Sequence, residues 1–408
     1  MMRRQPAAVW AIAFACVVSF MGIGLVDPIL PSIAEQLQAS ETQSELLFTT
    51  YLALTGVAMF FSSWVSSRLG VKKTLLIGLA VVVVFAAACG LSPAVAPIIG
   101  FRAGWGIGNA LFISTALSAM VTAAVGGSAS AIVLYETALG IGMAFGPLAG
   151  GLLGSITWRA PFFGTATLMI IGLVMIGLLL KATHNVHPRP VRLSAPFRAL
   201  RDPGMGTMGL AAFFYNMAMF TTLAFPPFAL ARLGVSEALT IGLVFFGWGG
   251  CLALAAVGLA PRLTRRFRRT SVLLTAELLL GLMLVLCAVF YNSAVGIIVC
   301  VILAGIPLGL LNTVLTECSM EASDLPRPVA SSTYSGCRFL GGAIAPPLCT
   351  LLASISAVWV PFIYGALMIM VSFSIVLIRR STLIRADQTP DDVTEIESDT
   401  VEGAEVLA

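Results

Sequence analysis

Apolar stretches of about 20 residues, the length a helix needs to cross roughly 30 Å of hydrocarbon, recur along nearly the whole chain. Such a pattern sets the expected fold class, an all-α membrane protein. Twelve spans are expected, at 9 to 30, 46 to 66, 74 to 91, 95 to 120, 129 to 153, 159 to 180, 205 to 230, 238 to 259, 271 to 291, 294 to 317, 330 to 354 and 359 to 378. They leave no room for a soluble catalytic domain. Composition agrees, since 58% of the 408 residues are hydrophobic and 10% charged, against about 45–50% and about 25% in a soluble domain. The opening Met1-Met2-Arg3-Arg4 has the look of a secretory signal, but the apolar run from Trp10 to Leu30 is longer than a signal core and no small-residue cleavage site follows. It is read as a retained first helix.

An even number of spans puts both termini on one side, and the basic residues say which. Nineteen Lys and Arg fall in the loops on the side of the termini, whereas the opposite loops hold Arg159 and Arg232. By the positive-inside rule the termini are expected in the cytoplasm and the chain in the cell membrane. The net charge of +4 then reflects topology and not nucleic-acid binding.

The longest internal connection, residues 181–203, is rich in Arg and Pro. It divides a six-helix bundle over 1–180 from a second over 204–380, and an acidic tail over 381–408 is expected to be disordered. The connection carries His184 and His187, but no Cys, Asp or Glu stands near them until Asp202, so no metal site is expected. The eight cysteines lie in or at the ends of apolar spans without a C-x-x-C pair and are expected to be packing thiols. A shift of 200 residues superposes Gly142 on Gly342, Pro147 on Pro347, Leu148 on Leu348, Pro161 on Pro361 and Phe162 on Phe362. The fifth and eleventh spans are therefore counterparts, and two pseudo-symmetric bundles with a substrate site between them are expected.

Several motifs stand out against this background. The first span ends in Gly22-Ile-Gly24-Leu-Val-Asp27-Pro28-Ile-Leu-Pro31, and the fourth contains Arg102-Ala-Gly-Trp-Gly106-Ile-Gly108-Asn109. The fifth contains Gly142-Met-Ala-Phe-Gly146-Pro147-Leu-Ala-Gly150-Gly151, and Trp158-Arg159 opens the sixth. In this order and placement they resemble the signatures of the twelve-helix drug:proton antiporters of the major facilitator superfamily, a likeness that extends to about residue 380. The resemblance implies the two-bundle fold of that family, alternating access, and export of small amphipathic or hydrophobic solutes in exchange for protons. It also implies that Gly142, Gly146, Pro147, Gly150 and Gly151 form a hinge and seal between the halves. On the residues alone, glycines four apart allow close helix approach and Pro147 removes a helical hydrogen bond, which is ordinary packing. The loop after the second span departs from the family pattern G-x-x-x-D-R-x-G-R/K-R/K. Its basic half, Arg68, Gly70, Lys72 and Lys73, is present, but the acidic position is Ser67, which removes the acidic member of the charge latch expected of relatives.

Charges near the bilayer centre are costly and face a cavity or a partner. Five lie within spans: Asp27, Arg102, Glu136, Glu277 and Arg338. At 1.5 Å per residue, Asp27 and Arg102 share the outer third, Glu136 and Glu277 lie about 10 Å from the cytoplasmic side, and Arg338 about 12–14 Å from it. Asp27, Arg102 and Glu136 are the candidates for proton coupling, with Asp27 carrying the proton and Arg102 tuning it. The alternative for all of them is a structural ion pair that fixes helix packing. Glu317 lies too near the cytoplasmic end to join them. Asn109, Tyr215, Asn216, Phe220 and Arg338 are candidates for lining a substrate cavity, although such aromatics also serve as core or lipid-facing residues.

No G-x-x-x-x-G-K-S/T loop is present, so an ion gradient and not ATP is the expected energy source. No spaced catalytic constellation is found, and neither enzyme activity nor a cofactor is expected. The expected partners are a small-molecule substrate, protons and the lipid bilayer, for a monomer. Two other functions fit the same features: a lipid or glycolipid flippase, and a proton-coupled importer of a small nutrient.

Overall fold

A computed structural model of the chain describes residues 5–26, 29–39, 41–125, 127–180 and 191–383. Asp27, His184, His187 and the acidic tail from 384 onward lie outside these residues. Twelve helices among them are long and apolar enough to span a membrane. They are α1 Ala7–Gly24, α2 Leu46–Leu69, α3 Val71–Leu91, α4 Val95–Ala123, α5 Gly127–Gly154 and α6 Ala160–Leu179 in the first half. The second half holds α7 Pro203–Arg232, α8 Leu239–Arg266, α9 Arg269–Val289, α10 Ala294–Glu321, α11 Arg327–Ile355 and α12 Val360–Ile378. One helix answers each expected span. The eighth helix runs on to Arg266, past the end expected for it, whereas α1 stops early, at Gly24, and is followed by a separate short helix over Leu30–Leu37. Pro28 and Pro31 account for the early stop, because proline lacks the N–H that a helix needs and disfavours helical geometry in the residue before it.

Within each half the helices pack by one rule. In the first, α1 lies on α5 and α6, α4 on α2 and α3, and α3 on α6. In the second, α7 lies on α11 and α12, α10 on α8 and α9, and α9 on α12. Adding six to each helix number converts the first pattern into the second, so the sequence repeat is also a packing repeat. Single residues show it too. A Cβ placed on Gly142 of α5 would meet Phe20 of α1 at 2.8 Å, and one placed on Gly342 of α11 would meet the Phe220 ring of α7 at 2.6 Å. Both members of the first pair become the second by the same shift of 200.

The halves meet along two seams, α2 with α11 and α5 with α8, which the repeat also interchanges. The halves also touch near each end of the molecule. At the end where α1 starts and α12 finishes, the Ser331 hydroxyl of α11 donates to the Ser114 carbonyl of α4 at 2.8 Å, and Arg327 donates to the Val121 carbonyl at 3.2 Å. At the opposite end the Phe48 ring of α2 meets Phe220 of α7 edge to face, 6.1 Å between centroids.

Candidate functional site

The two helices that the repeat makes counterparts, α5 and α11, bring opposite charges together. Glu136 stands on α5 about 14 Å from the termini end, and Arg338 on α11 about 16 Å from it. Arg338 Nη1 lies 3.2 Å from Glu136 Oε1. Glu136 is fully buried and Arg338 is 6% exposed, so the pair sits in a dry interface where its attraction is little screened.

Other helices of the second half complete the arrangement. Asn312 of α10 accepts from Arg338 Nη2 at 2.8 Å and from the Tyr215 hydroxyl of α7. One turn along α10, the Thr316 hydroxyl donates to Glu136 Oε1 at 2.7 Å and lies 3.2 Å from the Tyr334 hydroxyl. The Arg338 guanidinium stands 5.5 Å over the Tyr334 ring. The spacing of four residues in both Asn312/Thr316 and Tyr334/Arg338 puts each pair on one helix face. Glu136 Oε2 and Asn312 Nδ2 are buried without a hydrogen-bond partner. Because Asn312 Oδ1 takes two donors, the orientation of the amide follows and Nδ2 is the group left over.

Chemically, the network joins one group that can take a proton to one that is always cationic. Only Glu136 comes from the first half. Protonating it removes the charge that ties α5 to α10 and α11. From the sequence, Glu136 was expected in coupling, and Arg338 and Tyr215 in a cavity; the structure unites all three. Asn312, Thr316 and Tyr334 escape sequence reading, since uncharged polar residues in apolar spans carry little signal. One clue was present: the shift of 200 carries Glu136 to position 336, beside Arg338, so the two stand at similar depth on counterpart helices.

Arg102 occupies a different place. It is fully buried in the first half, where Nε donates to the Leu47 carbonyl of α2 at 3.1 Å and Nη1 to the Gly22 carbonyl of α1 at 3.3 Å. Its guanidinium covers the rings of Tyr51 at 4.3 Å and Trp105 at 4.9 Å. Asn109 continues the cluster, donating to the Tyr51 hydroxyl at 2.6 Å and accepting from Ser19. Together these residues brace α1, α2 and α4. Asn216 donates to the Ala212 carbonyl of its own helix at 3.1 Å, and Phe220 stands at the far-end contact already described. Glu277 accepts from Ser372 of α12 at 2.5 Å, inside the second half. Glu317 pairs with Arg269 at 3.3 Å, and Arg269 reaches Glu321 at 2.5 Å.

The glycine motif needs a correction. Gly142, Gly146 and Gly150 were expected between the halves, but a Cβ on each would run into α1 of the same half or the residue that follows it: the Val17 carbonyl, the Met21 carbonyl at 2.7 Å and the Leu25 carbonyl. Pro147 likewise abuts Gly24, whose Cβ would lie 2.9 Å from the proline ring. The α5 face that meets α8 is offset by two residues, about 200° around the helix. There Gly140 opposes Leu252, Ala144 opposes Gly249, and Leu148 opposes Gly242. Gly151 belongs to that side, lining with Leu148, Glu237 and Leu239 a groove of about 290 Å³. In the loop motif, Gly70 takes φ +83° ahead of α3, Arg68 lies 4.9 Å over the Trp64 ring, and Lys72 donates to the Gly177 carbonyl of α6 at 2.7 Å. Lys73 is exposed. The Ser67 hydroxyl, at the acidic position of the pattern, accepts instead from the Val191 N–H of the connection at 3.1 Å.

Comparison with known proteins gives this geometry a context. The family model described as Major Facilitator Superfamily matches residues 12–346. The chain is 46% identical over 382 residues to a protein of Bacillus subtilis (strain 168) named multidrug efflux protein YfmO, covering 93% of this chain and 94% of that one. It is 33% identical over 178 residues to the tetracenomycin C resistance and export protein of Streptomyces glaucescens, covering 41% of this chain and 33% of that one. Among solved structures, the human organic anion transporter MFSD10 superposes with a TM-score of 0.78 at 16% identity, covering 91% of this chain and 99% of that one.

Proposed function

We propose that this chain, which belongs to the Major Facilitator Superfamily and is a multi-pass membrane transporter and not an enzyme, exports small amphipathic or hydrophobic solutes in exchange for protons. One observation carries the proposal: among the described residues, the one that the first half contributes to the buried network is a carboxylate, Glu136, paired at 3.2 Å with Arg338 of the second half. When Glu136 is ionised the pair draws α5 to α10 and α11. When it takes a proton the attraction is lost, so the halves rock about the seams and the network meets the other side. A solute bound to the ionised form then travels one way and the proton the other. Export is supported by the names of the relatives above, and the inward direction of proton flow by the cytoplasmic termini that nineteen basic loop residues against two favour. Asp27 is proposed as a second proton carrier, and the main work of Arg102 as bracing. A second reading, movement of a lipid, has one feature in its favour: an apolar groove of about 410 Å³ between α2 and α11, lined by Ala53, Leu340, Pro347 and Leu351. Purified protein in liposomes tests the proposal. An imposed pH gradient should drive a small amphipathic solute against its own gradient and a protonophore should abolish that movement; movement indifferent to both contradicts it.

A further inference from the structure

The unpaired atoms of the Glu136 network say what kind of solute it takes. Glu136 Oε2 is an acceptor and Asn312 Nδ2 a donor, both buried and both without a partner. They belong to the two residues that Arg338 bridges, through Nη1 and Nη2 respectively. A buried polar atom left unmade is a standing penalty, so a bound group offering a donor to the first and an acceptor to the second gains more here than at any satisfied site.

Charge narrows the class. Among the described residues around Glu136, Arg338 is the charged one that faces it; Thr316 from α10 is neutral, as are Tyr135 of its own helix, Tyr215 of α7 and Tyr334 of α11. Arg338 does not lose its proton. The site therefore carries no net charge when Glu136 is ionised and one positive charge when it is protonated, and never a negative one. A permanent cation entering it would add an uncompensated charge to a dry interior in either state. An anion would be held best beside protonated Glu136, and so would move with the proton and not against it. We infer that the exchanged solutes are neutral or zwitterionic molecules that present a hydrogen-bond donor beside an acceptor, such as hydroxy-amides or hydroxy-ketones, and that lipophilic cations are excluded. The inference rests on the proton-exchange reading above.

The test uses full-length protein in liposomes and two probes, chloramphenicol, a neutral hydroxy-amide, and tetraphenylphosphonium, a permanent cation. Wild type should bind chloramphenicol at least about tenfold more tightly than tetraphenylphosphonium and export only the former under a pH gradient. Asn312→Asp places a second carboxylate beside Arg338 and should gain tetraphenylphosphonium binding by about tenfold or more, a gain that a misfolded variant does not show. If wild type binds tetraphenylphosphonium as tightly and exports it under the pH gradient, the exclusion is overturned while proton exchange stands. If the gradient drives neither probe, the exchange reading fails and the inference falls with it.

Discussion

Glu136 and Arg338 are 202 positions apart in sequence and 3.2 Å apart in space, on helices α5 and α11 that an internal repeat makes equivalent. Each therefore approaches the pseudo-twofold axis at nearly the same depth, and the contact between them is a contact between halves. Removing one member of such a buried pair strands the other, at a cost of about 3–5 kcal/mol. Arg338→Ala should accordingly lower the melting temperature of the detergent-purified protein. The double variant Glu136→Gln/Arg338→Met should recover most of that loss without recovering transport. Equal melting temperatures for wild type and Arg338→Ala would mean that the pair contributes nothing to stability.

The glycine contacts separate packing from movement. A side chain at Gly146 would press on the Met21 carbonyl at 2.7 Å, inside the first half. Gly146→Leu is thus expected to destabilise the fold by about 1–3 kcal/mol or more, visible as reduced melting temperature and yield. Gly249→Leu pushes instead against Ala144 across the α5 and α8 seam, and should reduce exchange more than it reduces stability. The reverse ranking in thermal-melt and transport assays would place the moving surface on the α1 side.

Contact between the halves at the termini end is expected to be reversible during transport. The Ser331 hydroxyl rests on the Ser114 carbonyl, joining α11 to α4 across the halves. In the double variant Ser114→Cys/Ser331→Cys, oxidation should form a cross-link that stops transport, and reductant should restore it, while each single variant is unaffected. Continued transport with the cross-link in place would show that this end does not open.

The basic loops predict an orientation with cytoplasmic termini. A reporter active only outside the cytoplasm should work when fused after Ser236 and fail after His187 or Asp387. Activity after His187 would reverse the topology.

Much of this is legible in the sequence alone. The length and apolarity of the spans made twelve helices and two halves readable, and Glu136, Arg338 and Arg102 stood out because charge in an apolar helix is rare. Which of them meet was not legible, since pairing depends on helix rotation as well as depth. Gly142, Gly146 and Gly150 illustrate the point. Their spacing of four announces a close approach, but nothing in it says whether α1 or α8 comes close, and a rotation of about 200° separates the two outcomes. Asn312, Thr316 and Tyr334 are ordinary residues in sequence, and only the partners that Arg338 and Glu136 find in space make them notable. The α1 boundary was missed for a nearer reason, because apolarity continues past Gly24 while Pro28 and Pro31 already forbid a regular helix.

The central claim is that Glu136 couples proton movement to solute movement. In liposomes containing Glu136→Gln protein, the exchange of labelled for unlabelled chloramphenicol with no pH gradient should continue, because the neutral amide keeps the shape of the site. Accumulation of chloramphenicol against its own gradient, driven by an imposed pH gradient, should fall to the level of protein-free liposomes. Accumulation at the wild-type level by Glu136→Gln would contradict the account and move the coupling site to another residue, with Asp27 first among them.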